Sequence, residues 1–160
     1  MSQTNTKADL PMAEVLFYHL QAQPLQEVLP GLLERSLARG WRVAVQSGSN
    51  EMLSDLDTLL WSYRDDSFLT HGIADEDFSE QQPILLTVEP DNTNSAQVRF
   101  LVHDAALPVD MNYERVVLMF DGTDELAVGN ARVHWKTLKT GDHELTYWQQ
   151  NDAGRWEKKA

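Results

Sequence analysis

The chain has 160 residues, is 42% hydrophobic and contains no run of about 18 apolar residues, so we expect a substantial core and no membrane span. Its net charge of −12 argues against direct strong binding to nucleic acid, which needs a basic surface. It lacks cysteine, which excludes disulfides and thiolate metal sites, and its N-terminus has no signal-peptide pattern, so we expect a cytoplasmic protein.

The first half of the chain alternates strands and helices. Residues 1–11 are polar and aperiodic, which predicts a disordered extension, and residues 12–160 are expected to form a single domain. Pro30 is expected to bend or split the first helix. The elements predicted in order are a strand at 14–20, a helix at 24–39, a strand at 41–45 and a helix at 50–63.

The second half adds strands, a long helix and a hairpin. The order of elements predicts an α/β fold, with a Rossmann-like, mostly parallel sheet and helices on both faces. The last two strands are expected to form a hairpin at the sheet edge. The predicted elements are strands at 84–88, 98–102 and 116–120, a helix at 123–139, and hairpin strands at 144–148 and 154–156.

The helix at 123–139 has an apolar arc bordered by cations. At about 100° per residue, its apolar side chains share one arc and its basic ones the arc beside it, with Trp135 at the boundary. Such a surface suits a ligand that is both anionic and apolar. The alternative is that the cations complement the helix dipole and Trp135 packs at a core edge. The apolar residues are Ala127, Val128, Ala131, Trp135 and Leu138, and the basic ones Arg132, Lys136 and Lys139.

The uneven distribution of charge points to the same helix. Residues 1–125 carry 7 basic and 21 acidic side chains, whereas residues 126–160 carry 6 basic and 4 acidic ones. A small positive region on an acidic protein suits a short acidic peptide better than a polynucleotide.

The loops show no pattern typical of a cofactor or metal site. A dinucleotide-binding loop needs several glycines, but QAQPLQE follows the first strand and contains none, and SGSNE follows the second with one. The five histidines show no ligand spacing typical of a metal site, and no serine lies in a nucleophile elbow. The sequence therefore predicts no cofactor, no metal and no catalytic residue.

The segment Phe120-Asp121-Gly122-Thr123 offers an enzymatic alternative. Phosphatases of the haloacid-dehalogenase class carry D-x-D-G-T after a strand, with the first Asp as nucleophile. Here Met119 occupies that position, so Asp121 or Thr123 is expected to cap the following helix. A degenerate phosphatase-like or nucleotide-binding enzyme acting at Asp121 is the alternative function.

The segment LDTLLW at 56–61, followed by SYRDDSFLTHG, resembles the chi subunit of the bacterial DNA polymerase III clamp-loader complex. The shared pattern is L-D-x-x-L-W, then about six residues, then S-F-[LV]-P-H. FYHL at 17–20, RGWRV at 39–43 and QPILL at 82–86 extend the resemblance over nearly all of the chain from Met12.

The resemblance implies a non-catalytic adaptor in bacterial DNA replication. Chi-like proteins bind the acidic, Phe-ended C-terminal tail of single-stranded-DNA-binding protein and join it to the clamp loader. The tail-binding pattern of the family is matched here by Arg132, Trp135 and Lys136, with Lys139 and Val128 beside them.

The resemblance also implies a second partner, the psi subunit or a helicase, whose interface is matched by Trp61 and Phe68. The alternative for Trp61 is that it only closes the end of its helix. Thr70 stands where the family usually has proline, and Val128 where a further basic residue is expected, so the chain departs from the family at both sites. A third hypothesis is a structural protein that dimerises through exposed tryptophans.

Overall fold

The computed structural model describes residues 13–63, 69–74, 79–108 and 110–160. The extension at 1–11, for which disorder was predicted, lies outside these ranges. The strands are β1 (Glu14–Leu20), β2 (Val43–Ser47), β3 (His71–Ile73), β4 (Ile84–Thr87), β5 (Val98–Val102), β6 (Arg115–Asp121), β7 (Glu144–Gln150) and β8 (Trp156–Lys158). The helices are α1 (Leu25–Ala38), α2 (Asn50–Ser62) and α3 (Glu125–Lys139).

Eight strands of the described chain form one sheet in the order β3-β4-β2-β5-β6-β1-β7-β8. Every neighbouring pair is parallel except β7 and β8, which form an antiparallel hairpin at the edge. The predicted α/β fold with a parallel sheet and a C-terminal hairpin is therefore confirmed. None of the helices in the described ranges is long and apolar enough to cross a bilayer.

The two faces of the sheet are covered differently. Apolar side chains of α1 and α2 pack on one face in a single buried cluster with β1, β2, β4, β5 and β6. On the other face α3 covers β6, β1 and β7. In the part of the chain that the structure describes, this second face has one helix where the first has two, and the loops after β4 and β5 approach it.

Arg99 of β5 binds these loops from the second face. Its side chain is fully buried and donates to the main-chain oxygens of Glu89 and Asp91, the hydroxyl of Tyr113 and the amide oxygen of Gln46. All four acceptors are neutral. The guanidinium therefore connects the sheet to two loops by charge-assisted hydrogen bonds, with no carboxylate partner among the described residues.

Several local predictions need correction, among them the last strand, which was predicted at 154–156 and spans Trp156–Lys158. Pro30 does not split α1, which continues from Leu25 to Ala38. Proline has no N–H, so only the hydrogen bond to the carbonyl of Gln26, four residues earlier, is lost. Strand β2 begins two residues later than predicted, since Trp41 still donates to Ser36 at the end of α1. The short strand β3 was not predicted, and it is held by pairing with β4. The predicted N-cap of α3 was Asp121 or Thr123, but the helix is capped by Asp124.

Candidate functional site

Helix α3 carries the predicted binding surface next to the β1–β7 side of the sheet. We name this surface the tail face, and it consists of Val128, Arg132, Trp135, Lys136 and Lys139. Helix α3 begins where Asp124 accepts hydrogen bonds from the main-chain N–H groups of Leu126 and Ala127 at 3.0 and 3.4 Å. Its buried side chains include Ala127, Ala131 and Leu138, as the predicted apolar arc requires.

Trp135 is fixed against the sheet at the centre of the tail face. Its ring centroid lies 5.1 Å from that of Phe17 on β1 and 5.9 Å from that of Tyr147 on β7, both in edge-to-face geometry. Val128 is half-buried beside the same cluster. One surface of the indole is therefore packed, while the residue as a whole keeps partial exposure.

The cations of the tail face remain open to solvent. Arg132, Lys136 and Lys139 are exposed, and none forms an ion pair with a carboxylate in the described part of the chain. The ammonium of Lys139 lies 5.8 Å from the Trp135 ring centroid, within reach of a cation–π interaction. Their charges are thus available to an external anion.

The C-terminal strand does not cover the tail face. The N–H of Tyr147 donates to Ala160 and the N–H of Lys159 to Tyr147, so the last residues extend the sheet edge beyond β7. Leu126 and Val133, which are exposed on α3, lie about 100° or more around the helix from Arg132. They do not belong to the tail face.

Trp61 lies on α2, over the opposite face of the sheet. It is 64% exposed, and its ring lies 4.5 Å from that of the buried His71. His71 is held by Asp57 at 2.8 Å through Nε2 and by the carbonyl of Leu69 at 2.7 Å through Nδ1. Both ring nitrogens of His71 therefore have a partner, and the imidazole is held in one orientation beneath Trp61.

This contact connects the two halves of the segment that suggested the family. The Asp of L-D-x-x-L-W is Asp57, and the final His of the second half is His71. The motif is therefore a packing unit that supports the exposed Trp61. Phe68, predicted to share this surface, lies outside the described residues.

Replacing Asp57 with alanine is expected to lower the free energy of unfolding by about 1–2 kcal/mol, because the buried Nε2 of His71 loses its acceptor. Urea denaturation of the variant measures this. Asp55→Ala removes an exposed carboxylate from the same helix and should change stability by less than about 0.5 kcal/mol. Equal losses in the two variants would contradict a specific role for the Asp57–His71 contact.

Asp121 lies at the carboxyl edge of the sheet, in a crevice of about 780 Å³. Its carboxylate accepts hydrogen bonds from the N–H and hydroxyl of Thr123, at 2.9 and 2.7 Å, and these hold the pKa of Asp121 below its usual value. Asp121 therefore closes a turn before α3 and does not cap the helix. Nothing in the described residues supports the enzymatic alternative at this position.

A protein-family comparison decides the assignment. Residues 12–146 match the family described as DNA polymerase III chi subunit, HolC. The chain belongs to the chi family. The match spans the Asp57–His71 unit, Trp61 and all of the tail face, and it ends one residue before Tyr147. A search of curated proteins returned no match.

Membership in the chi family makes the chain a subunit of a DNA polymerase III replication complex. The sequence pattern predicted that the helical residues share one surface, but not the contacts that Phe17, His19 and Tyr147 make beside them. The strand pattern EVLFYHL placed Phe17 and His19 on one side of β1, which was the available signal. Their proximity to Trp135 depends on the β1–β7 pairing, which no local pattern shows.

Proposed function

We propose that this chi-family chain is a non-catalytic adaptor that links the polymerase III clamp loader to single-stranded-DNA-binding protein. It does so by binding the acidic, Phe-ended C-terminal tail of that protein at the tail face. The observation that carries the proposal is the juxtaposition of a fixed, partly exposed Trp135 with Arg132 and Lys136, two exposed cations that form no ion pair with any described residue.

The cations supply the electrostatic part of the interaction. The guanidinium of Arg132 can bind a carboxylate through two parallel hydrogen bonds, and Lys136 adds a second charge one helical turn away. The chain is strongly acidic elsewhere, so this positive region attracts an acidic peptide to one place. Exposed ion pairs contribute only about 0–1 kcal/mol each, so the interaction is expected to be micromolar and sensitive to salt.

Trp135 supplies the apolar part. Phe17 and Tyr147 hold the indole in one orientation, so little rotamer entropy is lost when an aromatic ring packs against it. Val128 adds an aliphatic side chain next to Trp135. A terminal phenylalanine thus places its ring on the indole while its carboxylate lies within reach of the cations.

For the second partner we propose the surface around Trp61. A tryptophan that is 64% exposed and supported by a buried contact has the character of an interface anchor. Its location on α2 places it across the sheet from the tail face. The psi subunit or a helicase remains the predicted partner there, with Phe68 as the second predicted contact.

The proposal is tested by titrating the protein with a fluorescent acidic peptide that ends in phenylalanine, at low ionic strength. We expect a micromolar Kd for the wild type and about tenfold weaker binding for Arg132→Ala, because the carboxylate loses its bidentate partner. Arg155→Ala is the matched control, since Arg155 is also exposed and lies outside the tail face. It should bind like the wild type.

A second control uses the peptide itself. Replacing its terminal phenylalanine with alanine should weaken binding to the wild type, because the contact with the indole is lost. Absence of binding at low salt, or equal losses in Arg132→Ala and Arg155→Ala, would overturn the assignment.

A further inference from the structure

His19, at the end of β1, adjoins the tail face through Tyr147. Its Nδ1 lies 2.7 Å from the Tyr147 hydroxyl, and Tyr147 in turn packs edge-to-face on Trp135. The rings of His19 and Tyr147 are 5.9 Å apart. The pair therefore continues the surface from Trp135 along the sheet towards its carboxyl edge.

The outer nitrogen of His19 is free to take up a proton. Nε2 has no hydrogen-bond partner among the described residues. In these residues the only fully buried side-chain nitrogen or oxygen without a partner is Asn94 Oδ1, so Nε2 is not fully buried. Nε2 is therefore in contact with solvent. Gly122 leaves room for the ring, since a Cβ added there would lie 2.0 Å from Nε2.

Within the described residues, three ionisable groups lie near His19, one on each of three neighbouring elements. They are Asp121 on β6, Arg132 on α3 and Tyr147 on β7. Burial and the positive charge of Arg132 lower the pKa of His19, and Asp121 partly opposes them. Burial raises the pKa of Tyr147, so its hydroxyl stays protonated. In the free protein at neutral pH the imidazole is therefore neutral and hydrogen-bonded to a neutral phenol.

We propose that His19 is a proton-accepting member of the tail face, so that binding of an acidic peptide at Arg132 is coupled to uptake of a proton by the imidazole. The proposal rests on the function proposed above. In the bound state Nδ1–H donates to the Tyr147 hydroxyl, and the new Nε2–H adds a positive charge beside Arg132.

The direction of the pH dependence follows from these charges. A carboxylate bound to Arg132 offsets the cation that disfavours imidazolium, so the pKa of His19 is higher in the complex than in the free protein. The complex then holds more protons, and affinity increases as pH falls through the pKa of the complex towards that of the free protein. Each unit between the two pKa values corresponds to a factor of about ten in affinity.

The test measures the Kd of the acidic, Phe-ended peptide between pH 5.5 and 7.5, where its carboxylates stay ionised. We expect about three- to tenfold tighter binding at the lower pH for the wild type. His19→Gln should abolish this dependence, because an amide side chain does not titrate between pH 5.5 and 7.5. His134→Gln is the matched control, because His134 also has a lowered pKa but lies about 160° from Arg132 around α3.

An NMR titration of the His19 ring with and without saturating peptide provides a second readout in the wild-type protein. We expect its pKa to rise when peptide is bound. Peptide binding that depends on Arg132 but leaves the His19 pKa unchanged would overturn this inference and leave the proposed function standing. The same holds if His19→Gln keeps the wild-type pH dependence. Absence of binding at every pH would overturn both.

Discussion

Replacing Arg99 with alanine is expected to lower the free energy of unfolding by about 3–5 kcal/mol. The substitution removes a fully buried side chain and leaves Gln46, Tyr113 and two loop carbonyls without their donor. It also opens a cavity between the sheet and the loops. Arg99→Met fills most of that cavity but supplies no hydrogen bonds, so its cost should be smaller.

Urea denaturation of both variants separates the free-energy cost of the cavity from that of the lost hydrogen bonds. Arg42→Ala is the control, because the exposed Arg42 also donates to two main-chain carbonyls, those of Glu80 and Asn94. Its loss should cost about 1 kcal/mol or less. If Arg99→Ala were no more destabilising than Arg42→Ala, the role of Arg99 in holding the loops on the second face would be wrong.

Replacing Trp135 with alanine is expected to weaken binding of the acidic, Phe-ended peptide by at least about 30-fold, the effect of losing an interface anchor worth about 2 kcal/mol. The variant loses the surface for the peptide's aromatic ring and the contacts with Phe17 and Tyr147 that support it. Since Trp135 is half-buried, stability should fall by about 2 kcal/mol as well. Affinity is therefore measured at a temperature where the variant is fully folded.

Two further variants show whether the effect is specific. Trp135→Phe keeps an aromatic ring on the same two neighbours and should retain much of the affinity. Trp61→Ala removes an equally large ring, but from a side chain that is 64% exposed on the other face of the sheet. It should leave both stability and peptide binding nearly unchanged. A comparable loss of affinity in Trp61→Ala would contradict the location of the site on α3.

The helical part of the tail face could be predicted from sequence because helical periodicity is a local property. Spacing alone placed Val128, Arg132 and Trp135 next to one another, and the apolar arc of the same helix fixed which side packs on the sheet. The strand pattern was equally informative for β5, since residues 98–102 form the predicted strand. The beginning of α3 was predicted less well. Asp121 or Thr123 was expected to cap the helix, but Asp124 does so while Asp121 accepts a main-chain bond in the preceding turn.

The residues that adjoin the tail face from the sheet could not be predicted, because their positions depend on contacts between residues that are far apart in the sequence. His19 and Tyr147 are 128 residues apart and meet only because β7 pairs with β1. Arg99 presents a similar case. In the strand sequence VRFLV it has the pattern of a solvent-facing residue, yet the loops at Glu89 and Asp91 close over it. Tertiary cover of this kind leaves no periodic signal in the sequence.

The short strands at the two sides of the sheet affect how the protein behaves in concentrated solution. Within the described residues, β3 and β8 have three residues each, and β8 carries the exposed Glu157 and Lys158. Long, flat, uncharged borders are the usual templates on which strands of other molecules accumulate. These borders are short and one of them is charged, so growth of fibrils by strand addition is disfavoured.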